Sequence, residues 1–95
     1  MSPKRVDGNQ AEIVAEVRRL GEEAQSIAAI GHGCPDLLVT CKGRWLVVEV
    51  KDGNKPPSKR KIRDSQRDWH ARFPAPVEVW ETVEDVRRAF DALTW

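Results

Sequence analysis

Three side chains that lie apart in the sequence are brought to one end of a hairpin by simple strand geometry: Asp36, Glu49 and Lys51. Trp45 to Lys51 reads as the strongest strand in the chain. Alternation puts Leu46, Val48 and Val50 on one face and Trp45, Val47, Glu49 and Lys51 on the other. Asp36 to Cys41 reads as the preceding strand, and Lys42-Gly43 is a hairpin signal, so the two strands run antiparallel. The start of the first strand then lies beside the end of the second, which sets Asp36 close to Glu49 and Lys51. An acid and a lysine at the end of an apolar strand are costly to bury unless something pairs them. Two carboxylates suffice for Mg²⁺, which prefers oxygen ligands and keeps several waters. Such an ion makes a water more acidic and stabilises charge on a phosphate. Lys51 could orient or deprotonate that water, or stabilise the pentavalent phosphate. The same three residues equally suit a structural salt bridge of Lys51 with Glu49 or Asp36. On these residues alone both readings stand.

A fourth residue adds to the group. Ile62 or Arg63 to Phe73 reads as a helix closed by Pro74 and Pro76. Ile62, Gln66, Trp69 and Phe73 recur at helical spacing, so Gln66 sits inside an apolar stripe facing the sheet. A buried amide needs partners, and the polar residues of that sheet face supply them. Alternatively Gln66 lies at the edge of the stripe and reaches backbone.

The elements that must position these residues follow the order α-β-β-β-α-β-α, an α/β layer pair with a mixed four-stranded sheet. Gln10 to Leu20 is the first helix, with Ile13, Val14, Val17 and Leu20 on one face, Asp7 or Asn9 as cap and Gly21 as terminator. Gln25 to Ile30 reads as the first strand, and Gly31-His32-Gly33-Cys34-Pro35 as a breaker cluster. Val77 to Trp80 is the fourth strand. Thr82-Val83-Glu84-Asp85 resembles a capping box with Asp for Glu, opening a last helix buried through Val83, Val86, Phe90 and Leu93.

Residues 1–95 are expected to form one domain. No apolar run approaches the roughly 18 residues of a membrane span. The charged start, Met1 to Asp7, is followed by no apolar stretch, so no secretory signal is expected. Two cysteines make no disulfide framework and suit a reducing cytoplasm. The 16 basic and 15 acidic residues leave a net charge of +1, which argues at first against a nucleic-acid partner. The distribution reverses that argument. Residues 55–73 carry +5, through Lys55, Lys59, Arg60, Lys61, Arg63, Arg67 and Arg72 against Asp64 and Asp68, while residues 74–95 carry −3. The basic stretch is either an electrostatic footprint for phosphates or a solvated loop and helix face. Asn54, Lys55, Ser58, Lys59, Arg60 and Lys61 are the DNA-contact candidates, on a loop that Pro56 and Pro57 hold extended.

Gly33-Cys34-Pro35-Asp36-Leu37-Leu38-Val39, then Glu49-Val50-Lys51, then Gln66-x-x-Trp69 resemble the PD-(D/E)xK nucleases. More narrowly the chain is similar to the VRR-NUC group, especially its small stand-alone members encoded by phages. The likeness runs from Arg5-Val6-Asp7-x-Asn9-x-x-Glu12 through Asp52-Gly53 and Lys55-Pro56-Pro57-Ser58 to Trp69-His70. The resemblance implies a restriction-endonuclease-like core and Mg²⁺- or Mn²⁺-dependent cleavage of DNA, leaving 5′-phosphate and 3′-hydroxyl ends. It implies Asp36 and Glu49 as metal ligands with the Val50 carbonyl as a third oxygen, and Lys51 as the catalytic lysine. Glu12 would join the metal directly or through water, and Gln66 would support the site. Read from periodicity alone, Glu12 is a solvated helix acid. One departure is visible: Arg63 stands where relatives carry a Thr or Ser helix cap, with Asp64 as a possible replacement.

One site cuts one strand, so a homodimer is expected. By analogy with small relatives, branched DNA such as a Holliday junction is the expected substrate, in the cytoplasm of a bacterial host. The competing reading is a non-catalytic DNA-binding module that keeps the fold. His32, Cys34, Cys41 and His70 lack zinc spacing, and both cysteines suit small buried positions. His32 either touches a substrate phosphate or is a loop histidine with no role. Trp45, Trp69 and Trp80 are expected in the core, and Trp95 at a subunit contact.

Overall fold

A computed structural model describes residues 8–52 and 64–95. The described elements are α1 (Gln10–Arg19), β1 (Ala24–Ser26), a 3₁₀ turn (Ala28–Ile30), β2 (Leu37–Cys41), β3 (Arg44–Val50), α2 (Asp64–Arg72), β4 (Glu78–Trp80) and α3 (Val83–Ala92). The strands form one mixed sheet in the order β1-β2-β3-β4. The first three are antiparallel neighbours and β4 runs parallel to β3. The expected α/β order is therefore present, with three helices among the described residues.

Lys42 and Gly43 both have positive φ, 52° and 79°, the backbone that a two-residue type I′ hairpin turn demands. That turn sets the register Cys41↔Arg44 through Leu37↔Val48. β3 then runs to the parallel edge, where Val48, Glu49 and Val50 pair with Glu78, Val79 and Trp80. The first strand is shorter than its sequence suggests. It pairs with β2 at only three positions, after which the Ile27 amide donates to the Asp36 carbonyl and the chain turns through Ala28–Ile30.

The core lies on one face of the sheet. Val39, Val48, Val50 and Trp80 meet Ile13 and Val17 of α1 and Val86 and Phe90 of α3. Alternation along β2 and β3 makes that face apolar, and helical spacing aligns the two covering stripes. Gly21, at φ 88°, closes α1 with a Schellman pair: its amide donates to Arg18 and the Glu22 amide to Val17. At the start of α3, Asp85 accepts from the Glu81 and Thr82 amides at 2.7 and 3.1 Å, the Asp half of the expected capping box. Burial pushes the Asp85 carboxyl up, but these two amides and Arg88 outweigh it and hold the group below its ordinary range.

α1 and α3 are also tied by charge. Glu16 is buried and accepts from Arg19 at 2.8 and 2.6 Å and from Arg87 of α3 at 2.8 Å. The Arg19 hydrogen bonds, then that of Arg87, lower its carboxyl to about 2.

Two of the expected core tryptophans lie elsewhere. Trp80 is 1% exposed, as expected, but Trp45 is 70% exposed and Trp69 half-buried. Trp45 sits at the hairpin end of β3 on the face opposite α1 and α3, opposite Thr40. Trp69 packs on Phe73 with ring centroids 4.4 Å apart, and Phe73 itself is 47% exposed. The stripe of α2 is thus less buried than its spacing suggests. Cys34 and Cys41 are buried thiols, as expected. Trp95 is exposed and its ring lies beside Gly43.

Candidate functional site

The period-two reading of β3 places Glu49 on the face away from the main core, and there the structure builds a polar group. Leu37↔Val48 is the last ladder pair of the hairpin, so Asp36 emerges one residue beyond it, beside Glu49. The Asp36 amide donates to the Val48 carbonyl at 3.0 Å. Its carboxylate Oδ2 accepts the Val50 amide at 2.8 Å, so the side chain takes the position of a ladder acceptor. Asp36 therefore straddles Glu49 by bonding to the residues on either side of it. Such a bond to an ionised acceptor is among the stronger ones and pins the carboxylate.

Glu49 is held from two directions. Gln66 of α2 donates from Nε2 to Glu49 Oε1 at 2.7 Å, and Lys51 Nζ lies 3.6 Å from the same oxygen. Of the two readings the sequence leaves for Gln66, the structure has the buried one, with its amide on a side chain of the sheet. Asp36, Glu49 and Gln66 are 9%, 7% and 9% exposed. Buried groups of this kind demand partners: Gln66 and Lys51 both meet Glu49 at Oε1, and the Val50 amide meets Asp36 at Oδ2. Lys51 stands just past the end of β3, and its amide continues the parallel pairing by donating to the Trp80 carbonyl at 3.0 Å.

Asn9 is a residue whose role the sequence misses. It occupies the N-cap position of α1, yet its side chain makes no cap bond. Its Nδ2 donates instead to the Lys51 and Glu81 carbonyls, at 2.9 and 2.5 Å. It thereby ties the start of α1 to the ends of β3 and β4 and fixes the backbone that carries Lys51. A polar residue before a helix signals a cap, and nothing local separates the two uses.

Glu12 is exposed on α1 and lines a cavity of about 250 Å³ with Asn9, Asp52, Glu81 and Glu84 among others. Among the described residues no group of three or more His, Cys, Asp and Glu is arranged to hold a metal ion, so Glu12 is not brought into one set with Asp36 and Glu49. What Asp36 and Glu49 offer is a pair of carboxylates beside the Val50 backbone, an all-oxygen donor set that suits a hard divalent cation rather than zinc. Lys55, Ser58, Lys59, Arg60 and Lys61 lie outside the described residues, as do Asn54 and the expected start of α2 at Ile62 or Arg63. His32 is exposed with a φ of 54° in the loop leading to Asp36.

No described helix is long and apolar enough to cross a membrane. Comparison of the chain with protein-family models, with curated proteins and with solved structures returns no match.

Proposed function

We propose that the chain is a divalent-metal-dependent DNA endonuclease with a restriction-endonuclease-like core, of the PD-(D/E)xK type and similar to the VRR-NUC group. The observation that carries the reading is the convergence of buried Asp36, Glu49 and Gln66 with half-buried Lys51 at the open ends of β2 and β3. Asp36 and Glu49, with the Val50 carbonyl, are the residues that would hold Mg²⁺ or Mn²⁺. When bound, the ion supplies a Lewis acid for the phosphate and a more acidic water. Lys51 stabilises charge developing on the scissile phosphate, and Gln66 fixes the Glu49 carboxylate. Hydrolysis adds water across a P–O bond and leaves 5′-phosphate and 3′-hydroxyl ends. The reading does not use Glu12. The basic stretch over residues 55–73 supplies the electrostatic attraction for DNA. A homodimer acting on branched DNA is the assembly and substrate that a single small site suits.

One observation favours the non-catalytic alternative. Lys51 pairs with Glu49 Oε1 and the Val50 amide bonds to Asp36 Oδ2, contacts that a purely structural cluster would also make. Fluorescent junction, flap and duplex DNA incubated with the protein and Mg²⁺ or Mn²⁺ decide between the two. The nuclease reading expects cleavage of at least one substrate, abolished by Lys51→Ala. Binding without cleavage, or cleavage undiminished in Lys51→Ala, overturns it.

A further inference from the structure

The loop that delivers Asp36 and the helix that delivers Gln66 come close together at a glycine. An ideal Cβ built on Gly33 would lie 2.0 Å from the Ser65 carbonyl oxygen, 2.4 Å from its carbon and 2.8 Å from the Gln66 amide nitrogen. All three are backbone atoms, so no side-chain rotation relieves the collision. Gly33 also has a φ of 82°, where an L-residue is strained. Pro35 is fully buried and Cys34 nearly so, which anchors the loop between this contact and Asp36. On the helix side, the Ser65–Gln66 peptide leads directly into the residue whose side chain grips Glu49.

We propose that Gly33 is a positioning residue of the candidate site: its missing side chain seats the Asp36 loop against the Ser65–Gln66 peptide and so sets Gln66 at bonding distance from Glu49. The proposal rests on the nuclease reading for its effect on cleavage, but its structural core does not need that reading. Any Cβ at position 33 pushes α2 away from the loop, and the Gln66 amide, bonded at 2.7 Å, has little slack to follow. The carboxylate that Gln66 orients then loses its fixed geometry while the main core on the other face of the sheet stays packed.

Gly31 provides an internal control. Its φ of 71° and ψ of −158° lie where alanine is strained, so it isolates backbone strain, while nothing lies within 4 Å of the position a Cβ would take there. Gly33→Ala and Gly31→Ala are compared by NMR, following the Gln66 side-chain amide resonances, and by kcat and KM for DNA cleavage at saturating Mn²⁺ per folded molecule. The expected result is that Gly31→Ala keeps the shifted Gln66 amide signals and wild-type kcat. Gly33→Ala moves those signals to the positions of a solvated amide and lowers kcat about 100-fold, the scale of a misplacement near 1 Å, with KM little changed. Retention of the Gln66 signals in Gly33→Ala, or their equal loss in Gly31→Ala, overturns the proposal. If Gly33→Ala does not fold, the wild-type protein decides. A nuclear Overhauser effect between the Gly33 α-protons and the Gln66 backbone amide proton supports the contact, and its absence overturns it. A wild-type protein that cuts no DNA defeats the nuclease reading, and the Gln66 signals still decide the role of Gly33.

Discussion

On one face of the sheet, Val39, Val48, Val50 and Trp80 pack against the apolar stripes of two helices. On the other face, β3 carries Glu49, Val47 and Trp45, with Asp36 just before β2 and Val79 on the neighbouring strand. There the described cover is partial: Gln66 of α2 closes over Glu49, while Trp45 and Val79 remain exposed. The backbone is shared, so the difference comes from what sits on top of it. A face sealed by two apolar stripes can hold only hydrocarbon at low cost, whereas a face closed by one amide-bearing helix can hold ions, provided each finds a partner. The first face gives stability, and the second is the one that the nuclease reading would use for chemistry.

Substitutions test that division from its strongest side to its weakest. Trp80→Ala removes a fully buried indole from the sealed face and should cost about 3–5 kcal/mol in chemical denaturation. A loss near zero would mean that the core is not organised around Trp80. On the other face, Gln66→Leu leaves Glu49 without its amide donor and should cost about 1–3 kcal/mol, the scale of a buried acceptor deprived of its bond. A neutral result would show that the Gln66–Glu49 bond does not form in solution.

The sealed face is also held at its edge by Glu16, and this makes an acid prediction. Its carboxyl is lowered to about 2 from an ordinary 4.5, chiefly by Arg19 and then Arg87. A depressed carboxylate gives stability that is present above 4.5 and is lost as pH falls through about 2. Circular dichroism across that range should show wild-type stability falling, and Glu16→Gln should make the slope shallower, with Asp85 and Glu23 supplying part of the rest. An unchanged slope in the variant would place the acid sensitivity elsewhere. The smallest effect is expected at Trp45. Trp45→Ala should change stability by no more than about 0.5 kcal/mol, because the ring is largely in solvent. A loss of several kcal/mol would show that this face is covered in solution.

Much of this arrangement can be read from residue order. Lys42-Gly43 specifies the turn, the turn specifies the register, and period-two alternation puts Glu49 opposite the hydrophobic core. The short hairpin brings Asp36 beside it. Helical spacing does the same for Gln66. What alternation does not tell is whether a face is covered, so Trp45 reads as core although it is exposed. Trp69 misleads in the same way, because a stripe on a helix shows direction and not depth. Asn9 reads as a cap because its crosslinks to Lys51 and Glu81 span 42 and 72 positions. Gly33 reads as one breaker in a glycine-rich loop, and only the packed helix reveals the close approach. In each case the missing information is a contact between elements distant along the chain.

Calorimetric titration of Mn²⁺ into the wild-type protein, Asp36→Asn and Glu49→Gln decides whether Asp36 and Glu49 form a divalent-metal site on the open face. Asn keeps an acceptor for the Val50 amide while removing the charge, so the hairpin end should survive the change. Saturable binding of Mn²⁺ to the wild type and its loss in both variants are the expected results. Absence of binding to the wild type, or binding that survives in Asp36→Asn and Glu49→Gln alike, would mean that these carboxylates hold no metal.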